Sequence, residues 1–195
     1  GGKRWIVPLL KSAYASHRGK RLVEPFAGGL SVCLGLEPNE ALINDINPYL
    51  IHFYDWVKDG LVTFSSYPND EELYYKLRDE FNKCIKEISG KAFVREAELF
   101  YYLNQAGFNG MCRFNSKGEF NIPFGRKGCE PPKNLPAYQA LFQRWEFRSG
   151  DFSSLPLRAN DFLYCDPPYF DTFTDYSEEG FSWSDQWRLA DWAAA

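Results

Sequence analysis

The chain holds 195 residues, of which 45 % are apolar, 18 % aromatic and 25 % charged, with a formal net charge of −4. That length gives one domain with a proper core, or one domain carrying a small insertion, and the composition is that of an ordinary globular protein. No apolar run approaches a membrane-spanning helix, no signal-peptide core follows residues 1–5, and five cysteines without a CxxC pair read as free thiols in a reducing cytoplasm, with no zinc site and no disulfide framework.

The periodicity predicts a helix over residues 4–16, with Ile6, Leu9, Leu10 and Ala13 on one face. Residues 21–24 form a short strand ended by Pro25 and the Gly28-Gly29 pair, and a helix begins at 31–36. A second buried strand covers 41–44, and Pro48 suits the first turn of a helix running to about residue 58. This β-α-β-α rhythm predicts a parallel sheet. It then breaks. Asn69 precedes a charged amphipathic helix over about 70–88, taken as a solvated face, and another helix covers about 92–104. Residues 107–128 are rich in Gly, Asn and aromatics, and Ser116-Lys117-Gly118 marks a hairpin turn between two alternating arms. Strands return near 145–148 and 161–165, followed by a final helix at about 184–195. Residues 60–135 therefore read as an insertion within one α/β domain, and the abrupt first residues and short sheet read as a fragment cut at both ends.

A negative chain argues mildly against nucleic acid, but the distribution of charge matters more. Between residues 104 and 134, Arg113, Lys117, Arg126, Lys127 and Lys133 face only Glu119 and Glu130, whereas seven acidic residues from 166 onward face only Arg188. The middle of the chain suits phosphates; the tail does not. His17 and His52 have no neighbours that suggest a metal site.

The strongest chemical signal is Asp166-Pro167-Pro168-Tyr169 directly after the strand 161–165. Open α/β sheets hold ligands at that edge. An exocyclic amino group on a base is a poor nucleophile because its lone pair is delocalised into the ring. A carboxylate and a rigidly held carbonyl can bind its two hydrogens, draw the nitrogen toward tetrahedral geometry and expose the lone pair. Asp166 offers the carboxylate, Pro168 fixes the carbonyl of Pro167, and Tyr169 offers a stacking face for a flipped base. A strand-ending turn with a satisfied Asp and a core Tyr is the plainer reading. The second signal is Glu24-Pro25-Phe26-Ala27-Gly28-Gly29 after the first strand, which lets a cofactor approach backbone closely; it is neither GxGxxG nor a P-loop. Asp45 at the end of the next strand suits ribose hydroxyls, or equally a cap for the helix at Pro48, and both roles are open. Asp151 serves equally as a turn residue.

Together Glu24 to Gly29, Asn44-Asp45-Ile46-Asn47, the run from Tyr102 to Arg126, and Asp166 to Tyr169 resemble the Dam-type DNA adenine-N6 methyltransferases, in the same order and at similar separations. The resemblance covers nearly the whole chain, and residues 108–126 are its most specific part. It implies a Rossmann-like α/β methyltransferase sheet, formed by 1–59 and 136–195 without its C-terminal strands, and a helical and β-hairpin target-recognition insertion at 60–135. S-adenosylmethionine would be bound by Phe26 and the bend at Gly28, with Asp45 on the ribose, Asp151 near the adenine ring and Asp166 lining the same pocket. Gly2 and Lys3 look like the end of a Trp-Ala-Gly-Gly-Lys cofactor motif whose first two residues are absent. Asp166, Pro167 and Tyr169 would be catalytic. The hairpin would enter double-stranded DNA: Phe108 inserting, Asn109 beside it, Arg113 with Met111 and Pro123 reading base edges, and Asn115, Lys117, Asn121 and Arg126 touching phosphates. The enzyme would act as a monomer in the cytoplasm, without metal or membrane, at a GATC-like site, in host marking, phage biology or restriction-modification. The chain departs from the family at Leu30, where many relatives have a third glycine, a change that costs little by itself, and at Lys127, where an aromatic is common.

Two other readings compete. Cytosine-N4 or RNA base methylation uses the same amino chemistry, although Ser more often replaces the Asp for cytosine. A non-catalytic DNA-binding module would use the hairpin alone. Cytosine C5 methylation is excluded, because Cys165 is followed by Asp166 and no Pro-Cys nucleophile is present. The three Phe residues at 114, 120 and 124 read in part as ordinary hairpin anchors.

Overall fold

The computed structural model describes residues 3–60, 64–87, 94–168 and 181–194. In chain order the elements are α1 (Val7–Tyr14), β1 (Leu22–Glu24), α2 (Ser31–Leu36), β2 (Ala41–Asp45), α3 (Pro48–Lys58), α4 (Glu71–Glu87), α5 (Val94–Ala106), α6 (Leu135–Phe142), β3 (Trp145–Ser149), β4 (Phe162–Leu163) and α7 (Trp183–Ala194). Two compact units emerge, one from the described residues of 1–51, 140–174 and 179–195, the other chiefly from those of 52–139.

The first unit is built on a four-stranded sheet in the order β3-β2-β1-β4, every pair parallel. Its inner strands are apolar runs without alternation, because a parallel sheet is covered on both faces. Leu22, Val23, Leu42 and Ile43 have no exposed surface. Val23 and Leu42 pack with Leu155, and Leu157, Leu163 and Trp192 close over them. Where β1 and β4 begin, Arg21 Nε and Nη2 donate to the Asp161 carboxylate at 2.9 and 2.6 Å, and Nη2 also donates to the Pro156 carbonyl at 2.8 Å. α7 starts with a capping box: Ser182 Oγ accepts the Asp185 N–H at 3.2 Å while Asp185 Oδ2 accepts the Ser182 N–H at 3.0 Å. The single helix expected over 4–16 is instead a 3₁₀ turn (Lys3–Ile6), α1, and a second 3₁₀ turn (Ala15–His17). Pro8 explains the late start of α1, since proline lacks the N–H that would extend the helix toward the N-terminus and is tolerated only in a first turn.

The second unit is where much of the aromatic content goes. Phe53 stacks on Tyr101 at 5.9 Å, Tyr67 lies 4.5 Å from Tyr102, and Phe81 meets Phe120 edge-on at 6.0 Å. Arg95 bonds Glu80, Glu98 and the Tyr67 hydroxyl. The two hairpin arms expected over 107–128 are joined by isolated antiparallel bridges, Gly107 with Phe124 and Phe114 with Phe120, rather than by continuous strands. Its turn is a three-residue loop. The Gly118 N–H donates to the Asn115 carbonyl at 2.8 Å, the Asn115 N–H donates to the Glu119 carbonyl at 2.9 Å, and Gly118 takes φ +72°, as a hairpin with a glycine bulge requires.

Candidate active site and nucleic-acid interface

All four parallel strands point their C-terminal ends to one edge of the sheet, so the residues following them share that edge. Asn44 ties the edge together: its buried side-chain amide donates to the carbonyls of Pro25 and Gly150, each at 3.0 Å. It thereby fastens the segment after β1 and the segment after β3 to β2. The residue lay within a stretch the sequence marked, but no local signal distinguishes a stapling Asn from a turn Asn.

The bend after β1 is held by Asp45. The Gly28 N–H donates to Asp45 Oδ2 at 2.8 Å and the Asn47 N–H to Oδ1 at 2.9 Å. Burial raises the Asp45 carboxyl above its ordinary value, and these two N–H donors pull it back. The cap of α3 is Asn47, whose Oδ1 accepts the Tyr49 N–H at 3.0 Å, so Asp45 is released from the capping role that the sequence left open. A Cβ added at Gly28 or Gly29 would meet nothing within 4 Å, so the bend faces open space. Leu30 costs more than the sequence suggested: it takes φ +55°, a left-handed conformation worth about 1–2 kcal/mol of strain in a non-glycine residue. Its side chain is 1 % exposed, and that burial offsets the strain.

Beneath the bend, Glu24 is 3 % exposed and its Oε2 has no hydrogen-bond partner. Burial pushes its carboxyl up to about 8, with Asp166 and Asp45 adding repulsion against an N–H bond from Cys33. Sequence reasoning placed Glu24 only inside a motif. A carboxyl ending an otherwise apolar strand was the available signal.

Phe26 packs on Phe152 and on Phe181, both at 5.5 Å. Asp151 begins the 3₁₀ turn Phe152–Ser154, where its Oδ1 accepts the Ser153 N–H at 2.9 Å, and it pairs with Arg188 Nη2 at 2.8 Å. Burial alone would lift the Asp151 carboxyl, but the Ser153 hydrogen bonds and Arg188 outweigh it and hold it below its ordinary value. Arg188 also lies 5.1 Å from the Phe152 ring centre. Nothing local in the sequence singles out this arginine, since it reaches Asp151 from α7 only through the fold.

Asp166 follows β4, whose register is continued by the Tyr164 N–H donating to the Val23 carbonyl at 3.0 Å. Its side chain is 25 % exposed and pairs with Lys3 Nζ at 2.9 Å. The carboxylate is thus accessible, not sealed in the core. Pro167 and Pro168 are half-buried. Tyr169 and Gly2 lie outside the described residues. The sheet edge therefore brings together Lys3, Phe26, Gly28, Asp45, Asp151, Asp166 and Pro167.

The second group of expected residues belongs to the other unit. Phe108 is 50 % and Met111 42 % exposed, unusual for large apolar side chains. Asn109, Lys117, Pro123 and Arg126 are exposed too, and Asn109 and Arg126 take φ +53° and +59°. Arg113 Nε donates to Asn121 Oδ1 at 2.9 Å. Asn115 is engaged within the turn, its Oδ1 accepting the Lys117 and Glu119 N–H groups at 2.9 and 3.0 Å. Opposite this exposed set, Phe120 and Ile122 are each 1 % exposed, and Phe114 meets Phe120 edge-on at 5.6 Å. The anchoring reading therefore holds for Phe120. Phe114 and Phe124 are half-buried.

A parallel α/β sheet whose loop edge gathers an acid-bound glycine bend and an acid-proline corner defines the Rossmann-like methyltransferase class. The chain matches the family described as D12 class N6 adenine-specific DNA methyltransferase over residues 1–194, and it belongs to that family. It is 37 % identical over 201 residues to the Retron Ec67 DNA adenine methylase of Escherichia coli, covering 97 % of this chain and 68 % of that protein. It is 37 % identical over 208 residues to a DNA adenine methylase of Vibrio cholerae, covering 98 % and 72 %. With the DNA adenine methylase of Escherichia coli (strain K12) it shares 39 % over 191 residues, 89 % of this chain and 66 % of that one. Its reaction class is accordingly methylation of the adenine amino nitrogen of DNA, which sets aside the cytosine-N4, RNA and purely binding readings. No helix among the described residues is long and apolar enough to cross a membrane.

Proposed function

We propose that the chain transfers a methyl group from S-adenosylmethionine to N6 of an adenine extruded from double-stranded DNA, at a GATC-like site, acting as a monomer in the cytoplasm. The observation that carries this reading is the accessible Asp166 carboxylate on the same sheet edge as the Asp45-held glycine bend. The residues there suit a cationic adenosyl donor. A bend open to space and the carboxylates of Asp45, Asp151 and Asp166 at three strand ends suit its ribose diol and its cationic sulfonium and ammonium groups.

Bound there, the donor supplies an electrophilic methyl carbon. Phe26 and the bend at Gly28 would pack against it, Asp45 would accept its ribose hydroxyls, Asp151 would accept from its adenine amino group, and Gly2 and Lys3 would contribute to holding it. Asp166 accepts one hydrogen of the target amino group and the Pro167 carbonyl accepts the other. That pair aligns the nitrogen lone pair for in-line attack on the methyl carbon: the N–C bond would form as the S–C bond breaks, S-adenosylhomocysteine would leave, and one amino proton would pass to solvent, with proximity rather than strong base catalysis lowering the barrier. Tyr169 stacks on the extruded base. The insertion at 60–135, which falls within the unit of 52–139, serves in target recognition. Phe108 enters the duplex with Asn109 beside it, Arg113 reads guanine with Met111 and Pro123 alongside, and Lys117, Arg126, Asn115 and Asn121 face the backbone.

The test is transfer of labelled methyl from S-adenosylmethionine into duplexes with and without GATC, followed by nucleoside analysis. N6-methyladenine confined to GATC duplexes is expected. Asp166→Ala should lose product by at least about 10²-fold while titration calorimetry still shows donor binding. Undiminished turnover in that variant would remove Asp166 from the reaction.

A further inference from the structure

α4 carries a row of side chains, four residues apart, along the hairpin's return arm. Tyr74 Oη donates to the Ile122 carbonyl at 3.0 Å and Arg78 Nη1 reaches the same oxygen at 3.3 Å. One turn further, the Asn82 amide takes both backbone groups of Phe120: Oδ1 accepts the N–H at 2.8 Å and Nδ2 donates to the carbonyl at 3.1 Å. One turn beyond that, Lys86 pairs with Glu119. Positions spaced by four share one helix face, so a single face of α4 follows residues 119–122 as a rail.

What the rail holds matters for readout. The hairpin arms are joined by isolated bridges and scattered backbone hydrogen bonds, among them the Asn121 N–H donating to the Arg113 carbonyl at 3.1 Å, rather than by a continuous ladder, so the far edge of the return arm is held by α4. A side-chain amide that satisfies both the N–H and the C=O of one residue does what a neighbouring strand would do, and pins Phe120 in place. Between the anchored Phe120 and Ile122 lies Asn121, whose Oδ1 accepts Arg113 Nε. With Nε engaged, a bidentate contact to guanine has to come from the Nη1/Nη2 edge, and the Asn121 position sets the direction of that edge. Asn82 itself lines a polar hollow of about 370 Å³ with Arg78, Lys83, Lys86, Asn115 and Asn121.

We propose that Asn82 is a positioning residue for sequence discrimination: by fixing the register of the 119–122 arm it sets, through Asn121, the orientation of Arg113. This rests on the reading of the hairpin as the DNA-contacting element.

The test is methylation of plasmid DNA by the chain and its variants, with methylated adenines mapped and the rate at the preferred site divided by the rate at sites one base away. Asn82→Ala should lower that ratio about tenfold, the worth of one lost base contact, with kcat at saturating DNA within about twofold and donor affinity unchanged. Asn82→Asp keeps the acceptor for the Phe120 N–H and loses the donor to its carbonyl, so it should fall between; it decides the matter if Asn82→Ala does not fold. Tyr67→Phe removes a hydrogen bond to Glu98 elsewhere in the same unit and should keep the wild-type ratio despite lower stability. A wild-type ratio in both Asn82 variants overturns the proposal, as does an equal fall in Tyr67→Phe. If Arg113→Ala itself discriminates like wild type, the failure belongs to the hairpin reading instead.

Discussion

Single residues at the sheet edge carry opposed electrostatic settings. Asp151 is exposed enough for Ser153 and Arg188 to hold it ionised, whereas Glu24, with no arginine and a buried oxygen left unpaired, is held protonated near neutral pH. The folded-state value of Glu24 is raised from 4.5 to about 8. Its contribution to stability is therefore complete below the unfolded value and is lost as pH rises toward about 8. Wild-type melting temperature should decline across that window, while Glu24→Gln, neutral at every pH, should flatten the decline. A parallel pH profile in the two proteins would exclude Glu24 as its source. Asp45 follows the same direction for the same reason, although its two backbone donors temper the shift.

At the scale of elements, the hairpin is seated by close backbone approach as well as by α4. A Cβ at Gly125 would lie 2.5 Å from the Gly107 carbonyl oxygen and 2.7 Å from that of Ala106, both backbone atoms that have little freedom to retreat. The Gly125 N–H donates to that same Ala106 carbonyl at 2.8 Å. Gly125→Ala should therefore force the arm away from the end of α5, at a cost of about 1–3 kcal/mol in chemical denaturation. DNA affinity should drop with it, while calorimetric donor binding, proposed for the sheet edge of the other unit, should stay at the wild-type value. Loss of both together would show that the two functions are not separable by element.

For the molecule as a whole, a buried ion pair joins two strands of the parallel sheet. The side chains of Arg21 and Asp161 are 5 % and 1 % exposed, and they join the beginnings of strands that are 140 residues apart. Removing one partner strands a charge in a low-dielectric site, so Asp161→Asn should cost about 3–5 kcal/mol of folding stability, read as a lower denaturant midpoint. Burial opposes ionisation of Asp161, but Arg21 and the Arg158 N–H prevail and lower its carboxyl below the ordinary range. Its stabilising contribution is present above the unfolded value and is lost as pH falls through the lowered one, so wild type should be more acid-labile relative to neutral pH than the variant.

The elements were largely legible because their signals are local. Apolar runs without alternation mark β1 and β2, Pro48 marks the first turn of α3, and the acid-proline corner announces itself by composition alone. α1 is shorter than its periodicity predicts, because Pro8 delays its start, and the two hairpin arms are joined by isolated bridges rather than by continuous strands. Residue types and their order determined the α/β class and the amino-group chemistry, since both depend on patterns within a few residues. Tertiary structure alone decided that Asn44 staples the strand ends, that Arg188 reaches Asp151, that Asn47 rather than Asp45 caps α3, and that Asn82 holds Phe120. Of these, the Asn44, Arg188 and Asn82 contacts join residues far apart in the chain, and a polar side chain shows no preference among distant partners until the backbone brings one within hydrogen-bond reach.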